Sequence, residues 1–153
     1  MLGKVGGLDG LRPIVADLVA RLCRDPMIGF HFAGVDPVRL TDLELQFAAQ
    51  MLGADVPYEG RPIATAHARH PITGGHFARR THLLRQVLAD HDVPQDVRQA
   101  WLAHTERLRP AVLGKALMRA NLGPCDHPGA GALVTEVAAD GSVQGARDTL
   151  KAG

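Results

Sequence analysis

The chain has 153 residues, a length that suits one domain with a buried core. Apolar residues make up 46% and charged residues 22%, so the composition is that of a globular protein and not of a disordered chain. The formal net charge is +1, which gives no basic excess for binding nucleic acid or an anionic membrane surface. No apolar run is long enough to span a membrane, and the first residues lack the apolar core of a signal peptide. The two cysteines, Cys23 and Cys125, lie far apart, so we expect no disulfide framework and a cytoplasmic protein.

The first predicted helix covers residues 11–22, where apolar residues recur at helical spacing. Pro13 is compatible with this helix if it lies in the first turn, where the missing N–H costs little. Asp25 and Pro26 end the helix, because the residue before a proline is driven out of the helical region. A short connector over residues 27–34 follows.

A second helix is predicted from Asp36 and Pro37, which supply a capping side chain and a proline suited to the first helical position. It is expected to run to about Met51. Its predicted inner face consists of Leu40, Leu43, Phe47 and Met51.

Residues 53–62 contain the glycines and prolines of a loop, and residues 63–69 leave room for at most two helical turns before Pro71. This short helix carries His67. A further helix is predicted from Thr73 or Gly74 through residue 91. Its inward residues are Phe77, Leu84, Val87 and Leu88.

Pro94 opens the last long helix, in which Val97, Trp101, Leu108 and Val112 repeat at helical spacing. Beyond residue 119, Gly and Ala become frequent and the helical periodicity ends. We therefore predict an all-α domain over residues 1–120 and a flexible C-terminal extension over residues 121–153. Within the extension, residues 133–137 are a weak candidate for a strand.

The histidines are unusually clustered, since four of the eight fall within sixteen positions: His67, His70, His76 and His82. By spacing alone, surface or core histidines without a cofactor are the default interpretation. A zinc site is a second interpretation, although neither a His-Glu-x-x-His pattern nor a nearby cysteine supports it. Haem is a third, because it requires one neutral imidazole on a rigid element beside a large apolar cavity.

Three short motifs surround the histidine of the short helix. They are Tyr58-Glu59-Gly60-Arg61-Pro62, Ala66-His67 and Pro71-Ile72-Thr73-Gly74-Gly75-His76-Phe77. Together they resemble the corresponding segments of the group I truncated, or two-on-two, haemoglobins. The resemblance extends over residues 4–118 without a gap through Lys4-Val5-Gly6-Gly7, Asp25-Pro26, Phe30-His31-Phe32, Arg39-Leu40, Phe47, Leu52-Gly53 and Val93-Pro94.

The resemblance implies a globin-like, two-over-two helical sandwich around haem b, with neutral His67 as the proximal ligand of the iron. A diatomic gas would bind on the opposite side. The residues that the resemblance assigns to cofactor binding are Val19, Phe32, Arg39, Leu40, Leu43, Phe47, His67, Arg69, Ile72, Phe77 and Trp101.

The sequence departs from the family on the distal side. Val19 replaces the tyrosine that hydrogen-bonds the gas ligand, and Glu44 stands where a glutamine often assists. His31 replaces the first of two paired aromatic residues. The expected distal pocket, formed by Val19, His31, Leu40 and Glu44, is therefore mostly apolar. Such a pocket should release oxygen faster, whereas the binding of carbon monoxide and nitric oxide should change less.

Several side chains keep two interpretations. Glu44 either turns outward to solvent, which the sequence favours about two to one, or places its carboxyl over the haem as a proton donor. His31 is either a surface imidazole or an acid–base group near the haem. A third interpretation, His31 as a sixth ligand of the iron, would require the connector over residues 27–34 to move. Arg39, Arg61 and Arg69 are either solvated or paired with the haem propionates.

We therefore expect a haem protein that binds O₂, CO or NO, with oxygen transport among the roles that the family implies. The alternative is a haem enzyme: a nitric oxide dioxygenase, a peroxidase, or a catalyst of oxidation or group transfer on a small substrate. An enzyme of that kind would take electrons from a reductase. Neither interpretation involves nucleic acid or a membrane.

Overall fold

A computed structural model describes residues 1–120, and every regular element among them is helical. The α-helices are α1 (Gly7–Arg24), α2 (Pro37–Met51), α3 (Ile63–His67), α4 (Gly74–Asp90) and α5 (Gln95–Ala120). Short 3₁₀ turns occupy Leu2–Val5 and Gly29–Phe32. The predicted flexible extension and the candidate strand at residues 133–137 lie outside the described residues.

Two helix pairs form the core: α1 packs on α2, and α4 packs on α5. The pairs are joined where α1 contacts α4, and the short α3 lies against α5. The fully buried leucines at the junction are Leu11, Leu18, Leu22, Leu84 and Leu88. Burial of one such side chain contributes about 1.5–3 kcal/mol, so the apolar stripe of α1 fixes this helix between its two neighbours.

Helix α1 begins at Gly7, four residues before the predicted start, so Pro13 lies in the interior of the helix and not in its first turn. The prediction was wrong because a second element precedes the helix. Gly6 adopts a φ of +80° between the 3₁₀ turn and α1, a conformation that glycine reaches without strain. A Cβ at Gly10 would collide with the carbonyl of Val5, so glycine is required for the close approach of the turn to α1.

Helix α2 has the predicted bounds, and the Asp36 side chain accepts a hydrogen bond of 3.0 Å from the backbone N–H of Val38. Its burial differs from the prediction, because the deepest residues are Leu45, Ala48 and Ala49. The predicted inner residues Leu40, Leu43, Phe47 and Met51 are only half-buried. Helix α2 therefore presents one apolar face to the core and leaves a second one partly uncovered.

The end of α1 is tied to α4 through Asp25, whose side chain is 3% exposed. Its carboxylate accepts hydrogen bonds from the backbone N–H groups of Met27 and Ile28 and from Arg79 at 2.9 Å. The hydrogen bond from the Arg79 guanidinium is the main reason that the pKa of Asp25 lies below its ordinary value. The predicted helix end at Asp25 is confirmed, and the same residue also fixes the start of the following 3₁₀ turn.

Candidate haem site

Helix α3 presents His67 as its last residue. Pro62 precedes the helix, and α3 ends four residues before Pro71, which confirms the predicted short segment. The His67 Nδ1–H donates a hydrogen bond of 2.7 Å to the carbonyl oxygen of Ile63, one turn earlier. Because a carbonyl can only accept, Nδ1 carries a proton, and in the neutral imidazole Nε2 then keeps the lone pair that a metal ion requires. The imidazole is part-buried, and its hydrogen bond to Ile63 orients the ring on the helix that carries it.

Three side-chain rings, those of Phe47, Tyr58 and His104, lie together at the half-buried face of α2. The ring of Phe47 is 5.5 Å from the ring of Tyr58 and 5.5 Å from that of His104 on α5. The His104 Nε2 is buried and has no hydrogen-bond partner among the described residues. Burial lowers the pKa of His104 below its ordinary value, and the charge of Arg107 adds to this effect. His104 therefore favours its neutral form and packs against the ring of Phe47.

The predicted cofactor residues fall into three classes of exposure. Val19, Phe77 and Trp101 are buried in the protein, at 1%, 3% and 6% exposure. The half-buried ones are Phe32, Leu40, Leu43, Phe47, His67 and Ile72. Arg39 and Arg69 are exposed, as is Arg61. A part-buried imidazole and a set of half-buried apolar side chains are the kinds of group that ligate and cover a haem, so in their chemistry these residues fit it.

Glu44 does not extend into solvent on its own. Its Oε2 lies 3.1 Å from Nη2 of Arg80 on α4, and both side chains are 28% exposed. The carboxylate is thus partly exposed and paired with a cation, and both interpretations of Glu44, outward to solvent or over the haem, stay predictions. Burial, and then the negative charge of Glu44, raise the pKa of the Tyr58 phenol above its ordinary value.

His31 contacts other histidines. Its Nε2–H donates to Nδ1 of His76 over 3.0 Å, and its ring centroid is 6.3 Å from that of His70. The side chain of His76 also accepts from the backbone N–H of Thr73, whose hydroxyl in turn caps the start of α4. His31 thus anchors the 3₁₀ turn to the predicted beginning of α4. The structure brings it to His70 and His76.

Other candidate sites are less developed among residues 1–120. No three His, Cys, Asp or Glu residues are arranged there to hold a metal ion, so the zinc interpretation gains no support. A cleft of about 340 Å³ contains Arg39 together with Arg12, Asp42 and Glu59, and is lined by opposite charges. No described helix is both long and apolar enough to cross a membrane.

The same helical arrangement occurs in solved two-over-two globins. The truncated haemoglobin of Tetrahymena pyriformis superposes with a TM-score of 0.67 at 24% identity, covering 74% of this chain and 97% of that one. The 2/2 haemoglobin of Synechococcus sp. PCC 7002 gives a TM-score of 0.67 at 20% identity, covering 72% and 95%. The fold is therefore that of a truncated, two-over-two globin, as predicted.

Sequence relatives agree with this fold. The group 1 truncated haemoglobin GlbN of Mycolicibacterium paratuberculosis is 28% identical over 109 residues, which are 71% of this chain and 80% of that protein. The protein of the same description from Nostoc commune is 27% identical over 112 residues, 73% of this chain and 95% of its own length. The model of the bacterial-like globin family matches residues 1–113, and the chain belongs to this family. Membership in a globin family implies haem as the cofactor.

Sequence reasoning missed two residues at the candidate site, Arg80 and His104. A signal existed for Arg80, because Glu44 lies between Leu40 and Phe47 on an apolar helix face and such a carboxylate needs a cation. No comparable signal existed for His104, since its position in α5 does not reveal that Phe47 of α2 covers it.

Proposed function

We propose that this chain is a haem-binding truncated haemoglobin in which Nε2 of His67 ligates the iron of haem b. When bound, the haem would supply the iron centre at which O₂, CO or NO binds. The observation that carries the proposal is the 2.7 Å hydrogen bond from Nδ1 of His67 to the carbonyl of Ile63. This bond selects the tautomer that leaves Nε2 unprotonated, and it makes the imidazole a more basic ligand.

The chain's other residues support the group by covering and orienting it. The half-buried side chains of Phe32, Leu40 and Phe47 would cover the haem and exclude water from it. The exposed guanidinium groups of Arg39 and Arg69 are available for the propionates, to which arginine binds in a bidentate manner.

Val19 decides how the gas ligand is held. It is 1% exposed and carries no hydrogen-bonding group, whereas a tyrosine at this position in related globins donates to the ligand. Oxygen gains most from such a donor, so we propose fast oxygen release and little change in the binding of carbon monoxide or nitric oxide. Reversible carriage of oxygen fits this behaviour better than tight storage.

A haem enzyme is the second candidate, and the Glu44–Arg80 pair is the observation that favours it. A carboxylate and a guanidinium beside a haem provide a proton acceptor and a fixed positive charge, the two groups that peroxide chemistry requires. Nitric oxide dioxygenation, or oxidation of a small substrate, would in addition require electrons from a reductase. Steady-state assays with hydrogen peroxide and a reducing dye separate this candidate from a gas carrier.

The test is a hemin titration of the full chain, followed by absorption spectra of the ferric form and of the dithionite-reduced form under carbon monoxide. His67→Ala is compared with His82→Ala, which removes an exposed histidine of α4. We expect a sharp Soret band that shifts with carbon monoxide in the wild type and in His82→Ala, and a lost or altered band in His67→Ala. Equal spectra for both variants would refute the assignment of His67.

A further inference from the structure

We infer that Arg80 determines ligand specificity at this site by recognising anionic ligands of the ferric haem, and that Glu44 holds Arg80 in place and limits its strength. The inference rests on the proposed function, since it requires a haem ligated by His67. It goes beyond that function because a charged pair from two different helices, Glu44 and Arg80, would take the role of the tyrosine and glutamine that this chain lacks.

The first step is the position of the Glu44–Arg80 pair relative to the half-buried apolar face of α2. On α2, Glu44 follows Leu40 by four residues and precedes Phe47 by three, so the three residues lie on the same face of the helix. The ring of Tyr58 packs 5.5 Å from that of Phe47 on this face. The carboxylate therefore lies at the half-buried face that is assigned to the haem.

The position of Arg80 on α4 is the second step. Arg80 follows the buried Phe77 by three residues, so both lie on the side of α4 that faces the protein interior. Arg109 of α5 covers the ring of Phe77, with its guanidinium carbon 4.4 Å from the ring centroid. The Arg80 side chain reaches from this side to the carboxylate of Glu44 on α2. It thereby brings a positive charge to the half-buried face of α2.

The chemistry of a guanidinium is the third step. It has five N–H donors, and the hydrogen bond to Glu44 is made by Nη2, so the donors on Nε and Nη1 are not used in this bond. At 28% exposure the charge is partly removed from water, where it attracts an anion more strongly than a solvated charge does. A neutral gas gains little from that charge. The pair should therefore favour anions such as fluoride, azide or nitrite at the ferric iron.

Glu44 acts against Arg80 in two ways. It occupies one donor, and its own negative charge repels an anion. Removal of the two side chains should therefore change anion affinity in opposite directions, which a purely structural tether between α2 and α4 would not do.

The experiment titrates the ferric holoprotein with sodium fluoride and with sodium azide. Compared with the wild type, Arg80→Leu should bind both anions about tenfold more weakly, as expected for loss of one hydrogen bond to a charged group. Glu44→Gln should bind them at least about threefold more tightly, since removal of a partly screened charge is a smaller effect. The double variant should bind both anions more tightly than Arg80→Leu, because the repulsion by the Glu44 carboxylate is also removed, and more weakly than Glu44→Gln. Arg85→Leu, at an exposed position of the same helix, is the matched control and should leave both affinities unchanged.

A second readout does not depend on anion binding. The C–O stretching frequency of the ferrous carbon monoxide complex responds to positive charge beside the ligand, so it should shift in Arg80→Leu and stay constant in Arg85→Leu. If Arg80→Leu fails to fold, Arg80→Lys retains the charge without the planar donors and should show a smaller loss of affinity.

The outcomes separate the inference from the function on which it rests. Equal anion affinities in Arg80→Leu and Arg85→Leu, with a normal His67-dependent carbon monoxide spectrum, would overturn the role of Arg80 and leave the haem assignment intact. A spectrum that does not depend on His67 would overturn both. Changes in the same direction for Glu44→Gln and Arg80→Leu would show that the pair acts only as a tether.

Discussion

The ion pair between Glu44 and Arg80 should stabilise the haem-free protein more than a shorter ion pair at the surface does. The Glu44–Arg80 pair has an N–O distance of 3.1 Å, with both side chains 28% exposed. The Arg12–Asp42 pair is closer, at 2.9 Å, but its side chains are 58% and 48% exposed. If exposure to water outweighs 0.2 Å of distance, the longer pair is the stronger one.

The magnitude follows from Coulomb's law with the dielectric constant that each environment imposes. At 3.1 Å, two unit charges attract by about 5 kcal/mol at an effective dielectric constant of about 20, and by about 1 kcal/mol in water. Desolvation and the ordering of two long side chains offset most of this attraction. We expect a net coupling free energy of about 1 kcal/mol for Glu44–Arg80, and of about 0–0.5 kcal/mol for Arg12–Asp42.

Two double-mutant cycles measure these coupling energies by urea unfolding of the haem-free chain, with alanine at each position singly and together. The Arg12–Asp42 cycle is the internal control, because it also joins a guanidinium to a carboxylate. A coupling energy for Arg12–Asp42 equal to or larger than that for Glu44–Arg80 would refute the reasoning.

Three further predictions concern the fold. Leu84 is 0% exposed, so Leu84→Ala should lower the free energy of unfolding by about 3 kcal/mol in a urea titration. The control Leu8→Ala, at a 43% exposed position, should lower it by less than about 0.5 kcal/mol. Equal effects of the two substitutions would contradict the assigned core. Gly10→Ala should destabilise the protein by about 2 kcal/mol in thermal melts, because the added Cβ meets the carbonyl of Val5, while Gly3→Ala meets nothing within 4 Å and should leave the melting temperature nearly unchanged. Burial, and then the charges of His76 and His70, lower the pKa of His31 in the folded protein below its ordinary value of 6.5. As the pH falls, His31 of the unfolded chain is therefore protonated first, and the free energy of unfolding decreases from about pH 6.5 down through the folded pKa. His31→Asn should reduce this loss between about pH 7 and pH 5 in urea titrations, and an unaltered pH dependence would show that His31 does not contribute.

The helix boundaries that the sequence predicted correctly are those that local chemistry sets. The start of α2 is set by the capping side chain of Asp36 and by Pro37, and the start of α4 by the capping hydroxyl of Thr73. All of these contacts are made within a few residues along the chain. The start of α1 was placed too late because Gly6 and Gly7 resemble a turn, and because the contact of Gly10 with Val5 appears only when the two elements are packed.

At the candidate site, the place of His67 on a short helix before Pro71 could be predicted from the sequence. Its assignment as the iron ligand follows from the resemblance to truncated haemoglobins and stays a prediction. The burial of α2 could not be predicted, since Leu40, Leu43 and Phe47 are as apolar as the residues that the core selects. Contacts across helices were also missed, because Glu44–Arg80 joins residues 36 positions apart and His31–His76 joins residues 45 apart.

The most direct test of the central claim is to replace His67 with glycine and to supply imidazole from solution. If Nε2 of His67 is the iron ligand, His67→Gly should lose the five-coordinate ferrous spectrum and its carbon monoxide difference spectrum, and millimolar imidazole should restore both because it fills the space that the side chain leaves. His82→Gly, at an exposed position, should have a wild-type spectrum with or without imidazole. A wild-type spectrum for His67→Gly in the absence of imidazole would contradict the account, because another residue would then ligate the iron.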